Sequence, residues 1–174
     1  MKKLILIRHA KAVQAEQNLP DMKRSLNSRG QKNTQLMAAR IIELELHPDV
    51  LYSSPAERAF ATARGLAKAL GIRMKKIVVD SDLYTFNADD LLVWLKQLDK
   101  EFDAVALVGH NPALTDLVNF MALTHLENIP TCGIAILDLS IKRWPKIVSG
   151  CGHLSYLNYP KKATSTEEAR ADTL

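Results

Sequence analysis

Short apolar runs that end in charge alternate with longer stretches whose apolar positions recur every three to four residues. Residues 4–7 (Leu4 to Ile7) form an unbroken apolar run closed by Arg8, the pattern of a strand buried on both faces. Over residues 28–46 Met37, Ile41 and Leu44 fall on one helical face, and His47-Pro48 breaks the pattern. Residues 49–53 predict a second strand. Ser54-Pro55-Ala56-Glu57 then reads as a helix start, with Ser54 as cap, Pro55 at the first helical position and Glu57 completing a capping box. Phe60, Ala63, Ala67 and Leu70 share one face of that helix, and Gly71 ends it. Residues 76–79 predict a third strand. Asn87 caps a helix reaching about residue 99, with Leu91, Leu95 and Leu98 inward. Residues 104–108 predict a fourth strand, and Asn111-Pro112 opens a helix with Leu114, Leu117, Val118 and Met121 inward. Two late strands are expected, near residues 134–139 and 146–150.

Strands alternating with helices imply an α/β domain of three layers, a mostly parallel central sheet with helices on both faces. With no internal repeat and no linker, residues 1–160 are expected to form one domain. Residues 161–174 are polar and rich in small residues, the composition of a flexible C-terminal tail.

Composition narrows the function. A chain of 174 residues, 47% apolar and 24% charged, can bury a core without disulfide or metal staples. Cys132 and Cys151 are not spaced as a metal knuckle or a redox pair, so two reduced, buried thiols are expected. The first apolar run is too short for a signal core or a membrane span, which leads us to expect a cytoplasmic protein with no membrane partner. The net charge of +4 comes partly from the pairs Lys75-Lys76, Lys142-Arg143 and Lys161-Lys162. These are short, scattered and free of interleaved aromatics, which argues against nucleic acid and suits a phosphate-bearing substrate.

Three segments share one design, an apolar strand with a charged or catalytic residue at its carboxyl end. They are Leu6-Ile7-Arg8-His9, Leu51-Tyr52-Ser53-Ser54 leading to Arg58, and Leu107-Val108-Gly109-His110. The carboxyl ends of strands in an open α/β sheet form its ligand crevice, so Arg8, His9, Arg58 and His110 are expected to converge. Arg58 in the first turn of a helix is a local conflict unless an anion answers it, and such conflicts mark functional sites. Arginine forks match phosphate oxygens, and a neutral histidine beside them can attack phosphorus. His47, His125 and His153 lack such a context and read as ordinary histidines.

These segments resemble the histidine phosphatase superfamily, which includes the cofactor-dependent phosphoglycerate mutases. Arg8-His9-Ala10 is similar to its opening Arg-His-Gly stretch, residues 53–62 to its Ser-x-x-x-Arg-Ala-x-x-Thr element, and Val108-Gly109-His110-Asn111-Pro112 to its second histidine segment. Residues 21–30, from Asp21 to Gly30, resemble the Asp-x-x-Arg-Pro-Leu-x-x-x-Gly run of its short branch, the SixA-type phosphohistidine phosphatases.

The resemblance implies a phosphoglycerate mutase-like fold and no cofactor or metal. It makes His9 the nucleophile that becomes phosphohistidine, with Arg8, Arg58, His110 and Asn111 holding the phosphoryl group. The family's proton donor follows the third strand, where Asp82 stands, with Asp80 as its competitor. Ala10 replaces the family's Gly, and Lys11, Ala12, Val13 and Gln14 stand where Thr and Asn often follow. Lys11 reads either as charge at the site mouth or as a solvated lysine. A mutase needs a lid to keep water from its intermediate. The chain spares little for one, so the expected activity is hydrolysis, with phosphohistidine on a protein as substrate. The alternatives are a small phosphorylated metabolite or a non-catalytic phosphate-binding module.

Overall fold

The computed structural model describes residues 1–162. The tail expected over residues 161–174 lies, past residue 162, outside the described residues. A six-stranded sheet in the order β3-β2-β4-β1-β5-β6 forms the middle layer. Its strands are β1 (Lys2–Arg8), β2 (Val50–Ser53), β3 (Ile77–Val79), β4 (Ala104–Gly109), β5 (Ile134–Leu139) and β6 (Gly152–Asn158). Strands β1 to β4 are mutually parallel, β5 runs antiparallel to β1, and β6 runs antiparallel to β5.

The apolar run of β1 is continuous because both its faces are covered. Its side chains alternate between two cores. Leu4 and Leu6 pack with Leu107, Leu114, Leu117 and Trp144, on the face carrying α3 (Ala88–Lys96) and α4 (Ala113–Ala122). Ile5 and Ile7 pack with Met37, Ile41, Leu66 and Val108, on the face carrying α1 (Ser28–Ile42) and α2 (Glu57–Ala67). Strand β1 lies between β4 and β5, so His9 leaves the centre of the sheet beside the carboxyl end of β4.

Local signals place several boundaries differently from the sequence expectation. Helix α1 stops at Ile42, and Glu45 takes a left-handed φ of 47° before the chain enters β2. Helix α2 begins at Glu57 behind Ala56, and Ser54 is not its cap. Asn87 does cap α3, accepting from the Asp89 amide at 2.8 Å. The strand expected at residues 146–150 is not formed. Pro145 lies in a 3-10 turn (Trp144–Lys146), and Gly150 turns the chain at a φ of 70°. The last strand is β6, whose polar His153 and Ser155 are exposed because it forms an edge of the sheet.

Candidate active site

At the carboxyl end of β1 the His9 ring is held by its own backbone, since Nδ1 lies 2.8 Å from the Ala10 carbonyl oxygen. With the proton of the neutral ring donated there, Nε2 carries the lone pair. The Arg58 Nε–H group donates to this Nε2 at 3.3 Å. Burial, followed by the charges of Arg58, Arg8 and Arg24, pushes the His9 pKa down to about 4, against the opposing pull of the Ala10 hydrogen bond. At neutral pH the ring is therefore unprotonated, and it faces a pocket of about 570 Å³. The backbone beyond it is pinned by Thr62, whose buried hydroxyl accepts from the Ala10 amide at 2.9 Å and donates to the Arg58 carbonyl at 2.7 Å.

His110 ends β4 and is 1% exposed. Its ring centroid lies 5.2 Å from that of His9. Its Nε2 is 2.7 Å from the Ser54 hydroxyl, which also accepts the Ala56 amide at 3.3 Å. A serine hydroxyl has one proton to give, and the amide can only donate. In the tautomer in which Ser54 donates to His110 Nε2, the proton of the neutral ring is on Nδ1. That buried Nδ1 has no partner among the described residues, which leaves it a donor for an anion. Burial first, then the charges of His9 and Arg58, holds the His110 pKa down at about 3. Tyr84 and Phe86 wall the ring, with centroids 5.4 and 5.2 Å away.

Arg58 is 3% exposed, and its first-turn conflict is answered by Asp21. Arg58 Nη1 donates to the Asp21 carbonyl at 2.6 Å, and Nη2 donates to Asp21 Oδ2 at 2.7 Å. The same Oδ2 accepts the Tyr84 hydroxyl at 2.6 Å, while Oδ1 accepts Arg24 Nη1 at 2.8 Å. The Tyr84 hydrogen bond first, then Arg24 and Arg58, holds the Asp21 carboxyl well below the usual carboxylate range, outweighing the upward push of burial.

Arg8 reaches the pocket rim. Its Nη1 donates to Asn128 Oδ1 at 2.9 Å and to the Ile129 carbonyl at 2.7 Å, and its buried Nε has no partner among the described residues.

The structure thus brings Arg8, His9, Arg58 and His110 together, and places Lys11 on the pocket wall. It does not bring Asn111 or Asp82 to that wall. The Asn111 amide donates to Asn128 Oδ1 at 2.7 Å and to the Ile129 carbonyl at 3.1 Å. Asn111 thereby braces the same loop as Arg8. Asp82 lines a separate recess with Ser81, Thr85, Asp90 and Trp94. Asp80 is committed to structure, accepting the Asp82 amide at 3.0 Å and Trp94 Nε1 at 2.9 Å. Sequence reasoning missed Asp21, Tyr84 and the partnership of Ser54 with His110. The signal for Asp21 was present in the run of residues 21–30, read there as pattern rather than as the anion that Arg58 requires.

Comparison with known proteins gives the family and the fold. Residues 4–92 match the family model of the histidine phosphatase superfamily, branch 1. An uncharacterised protein of Picosynechococcus sp. is 32% identical over 136 residues, covering 75% of this chain and 81% of that one. Phosphoserine phosphatase 1 of Hydrogenobacter thermophilus is 39% identical over 80 residues, covering 44% of this chain and 36% of that one. Among solved structures, a candidate phosphohistidine phosphatase SixA from Agrobacterium tumefaciens superposes with a TM-score of 0.77 at 27% identity. That superposition covers 91% of this chain and 98% of the other.

Proposed function

The chain belongs to the histidine phosphatase superfamily, branch 1, and is a phosphatase; from that premise we propose that it removes phosphoryl groups from histidine side chains of proteins, through a phosphohistidine intermediate on His9. One observation carries the choice of substrate. Asp21 is the carboxylate among the residues lining the pocket, and it is held deprotonated. The pocket wall therefore offers no carboxylic acid to protonate a departing alkoxide, which a phosphate ester needs in its transition state. A departing histidine brings its own acid, because its distal ring nitrogen takes a proton near neutral pH.

In the first step His9 Nε2 attacks phosphorus in line, the bond from phosphorus to the substrate nitrogen breaks, and the substrate ring leaves as neutral imidazole. As Nε2 turns to phosphorus, the Arg58 Nε–H it accepted passes to the phosphoryl oxygens, joined by Arg8 Nε and His110 Nδ1, and positioning with charge stabilisation does most of the catalysis. Water then attacks the phosphorus on His9. The P–N bond breaks back onto Nε2, and inorganic phosphate leaves carrying the water oxygen. No step calls on a metal. No cluster of three or more metal-ligating side chains occurs among the described residues. No helix among them is long and apolar enough to cross a membrane.

A second reading, hydrolysis of a small phosphate ester, draws support from the likeness to the phosphoserine phosphatase. It requires Asp82 to leave its recess and act as the proton donor. The two readings separate by kcat/KM on a phosphohistidine protein and on phosphoserine, with EDTA present, for wild type, His9→Ala and Asp82→Asn. We expect a phosphohistidine preference of at least about 10²-fold, the scale of a missing general acid. Turnover should be abolished in His9→Ala and near wild type in Asp82→Asn. Preference for phosphoserine, lost with Asp82→Asn, would establish the ester reading. Binding of both substrates without turnover would make the protein a phosphate-binding module.

A further inference from the structure

A second cavity, of about 630 Å³, opens beside the reaction pocket and shares Arg8, Lys11 and Thr131 with it. Its walls come from four parts of the chain: the end of β1 with the loop after it, the first turns of α1, the loop before β5, and the residues following β6. The cations on its lining are Arg8, Lys11, Arg29 and Lys161, and the lining contains no carboxylate. Elsewhere Lys2 is matched with Asp103, Lys3 with Asp138, and Arg24 and Arg58 with Asp21. Lys11, Arg29 and Lys161 are exposed and make no ion pair among the described residues. Arg29 also stands in the first turn of α1, which contains no acidic residue, so the partial charge of the helix opposes it. Charges brought together from separate elements repel one another unless an anion joins them.

We propose that this groove binds a carboxylate-rich segment of the protein substrate, flanking the phosphohistidine whose phosphoryl group enters the His9 pocket. The inference rests on the phosphohistidine-protein reading above. A peptide fits better than a compact small anion because the groove adjoins the reaction pocket, sharing Arg8 and Lys11 with it, while Arg29 and Lys161 line the groove alone. Its polar lining from Asn33, Asn128 and Tyr159 also suits an extended backbone. Arg29 and Lys161 act as specificity-determining residues, touching the substrate away from the reacting atoms.

The test uses two phosphohistidine peptides of equal length, one flanked by Asp and Glu and the other by Asn and Gln at the same positions. Their kcat/KM values are compared for wild type and for an Arg29→Gln, Lys161→Gln double variant, at low and high salt. Binding of the unphosphorylated peptides is followed in parallel by fluorescence anisotropy. Exposed ion pairs contribute a few-fold each, so wild type should favour the acidic peptide by about tenfold at low salt. Salt should erode that preference, and the double variant should lose it in both turnover and binding. Turnover of both peptides with no charge preference, or a preference that survives in the double variant, would overturn the groove assignment. If neither peptide is turned over, the phosphohistidine reading fails. In that event the anisotropy decides the groove: binding of the acidic peptide that the double variant loses upholds it, and equal binding of both peptides ends it.

Discussion

The His9 ring proton sits on Nδ1 against the Ala10 carbonyl, and burial together with Arg58, Arg8 and Arg24 brings its pKa to about 4. A ring in that state is neutral from about pH 4 upward, whereas an ordinary histidine would be largely charged at pH 5. In an NMR titration of histidine-labelled protein, His9 should titrate near 4. Arg58→Gln should move its midpoint upward, because a positive neighbour that disfavours imidazolium is removed. The same variant should lose about 10² or more in kcat/KM, the usual cost of losing an oxyanion donor. An unchanged His9 midpoint in Arg58→Gln would show that burial alone sets it. His9, His110, Arg8 and Arg58 were legible in the sequence because each follows a strand end or starts a helix. The roles of Ser54 and Asp21 were not. Ser54 has the sequence signature of a helix cap, and only the register that sets Ser53 of β2 against Val108 of β4 brings its hydroxyl to His110. Asp82 shows a related limit, since chain position gives the neighbourhood of a carboxylate and not the cavity it faces, here a separate recess.

Residues 21–30 show how a short 3-10 turn and the loop leading into α1 can position a site. Asp21 clamps Arg58, and Arg24 Nε donates to the Val13 carbonyl at 3.0 Å. Leu26 pairs with Ala12, and Asn27 caps α1 by accepting the Gly30 amide at 2.8 Å. Gly30 then packs against the backbone of Lys11, where an added Cβ would sit 2.1 Å from the Lys11 carbonyl oxygen. Gly30→Ala must displace main chain two residues beyond His9. We expect a loss of roughly 1–3 kcal/mol in urea unfolding, as for other overpacked sites, with a fall in kcat alongside. Wild-type stability and activity in this variant would show that the Lys11 loop yields freely. The sequence pattern displayed this run as a motif, yet the reason for its glycine is a contact between segments that no local periodicity encodes. The elements themselves were more readable where burial was two-sided, as in β1 and β4. The edge strand β6 escaped because its exposed His153 and Ser155 break any apolar run, while the apolar pair Ile147-Val148 lies in a turn between Pro145 and Gly150.

For the whole molecule, two histidines kept neutral inside the fold tie stability to pH. Once unfolded, His9 and His110 take protons near 6.5, while in the folded state they wait until about 4 and about 3. Between these values the unfolded chain binds more protons, so stability falls as pH drops from about 6.5 toward 3. The depressed Asp21 carboxyl acts in the same direction at the acid end of that range. The thermal midpoint should therefore decline between pH 7 and pH 4, and a His9→Gln, His110→Gln double variant should show a shallower decline. Equal slopes in the two proteins would place the acid sensitivity elsewhere. The ion pair between Arg58 and Asp21 has a consequence for turnover at this scale. The resting site already holds an anion against its principal arginine, so an arriving phosphoryl group bids against an internal competitor instead of meeting an unmatched charge. Product phosphate should then be held more loosely than by an unmatched arginine, which favours its release.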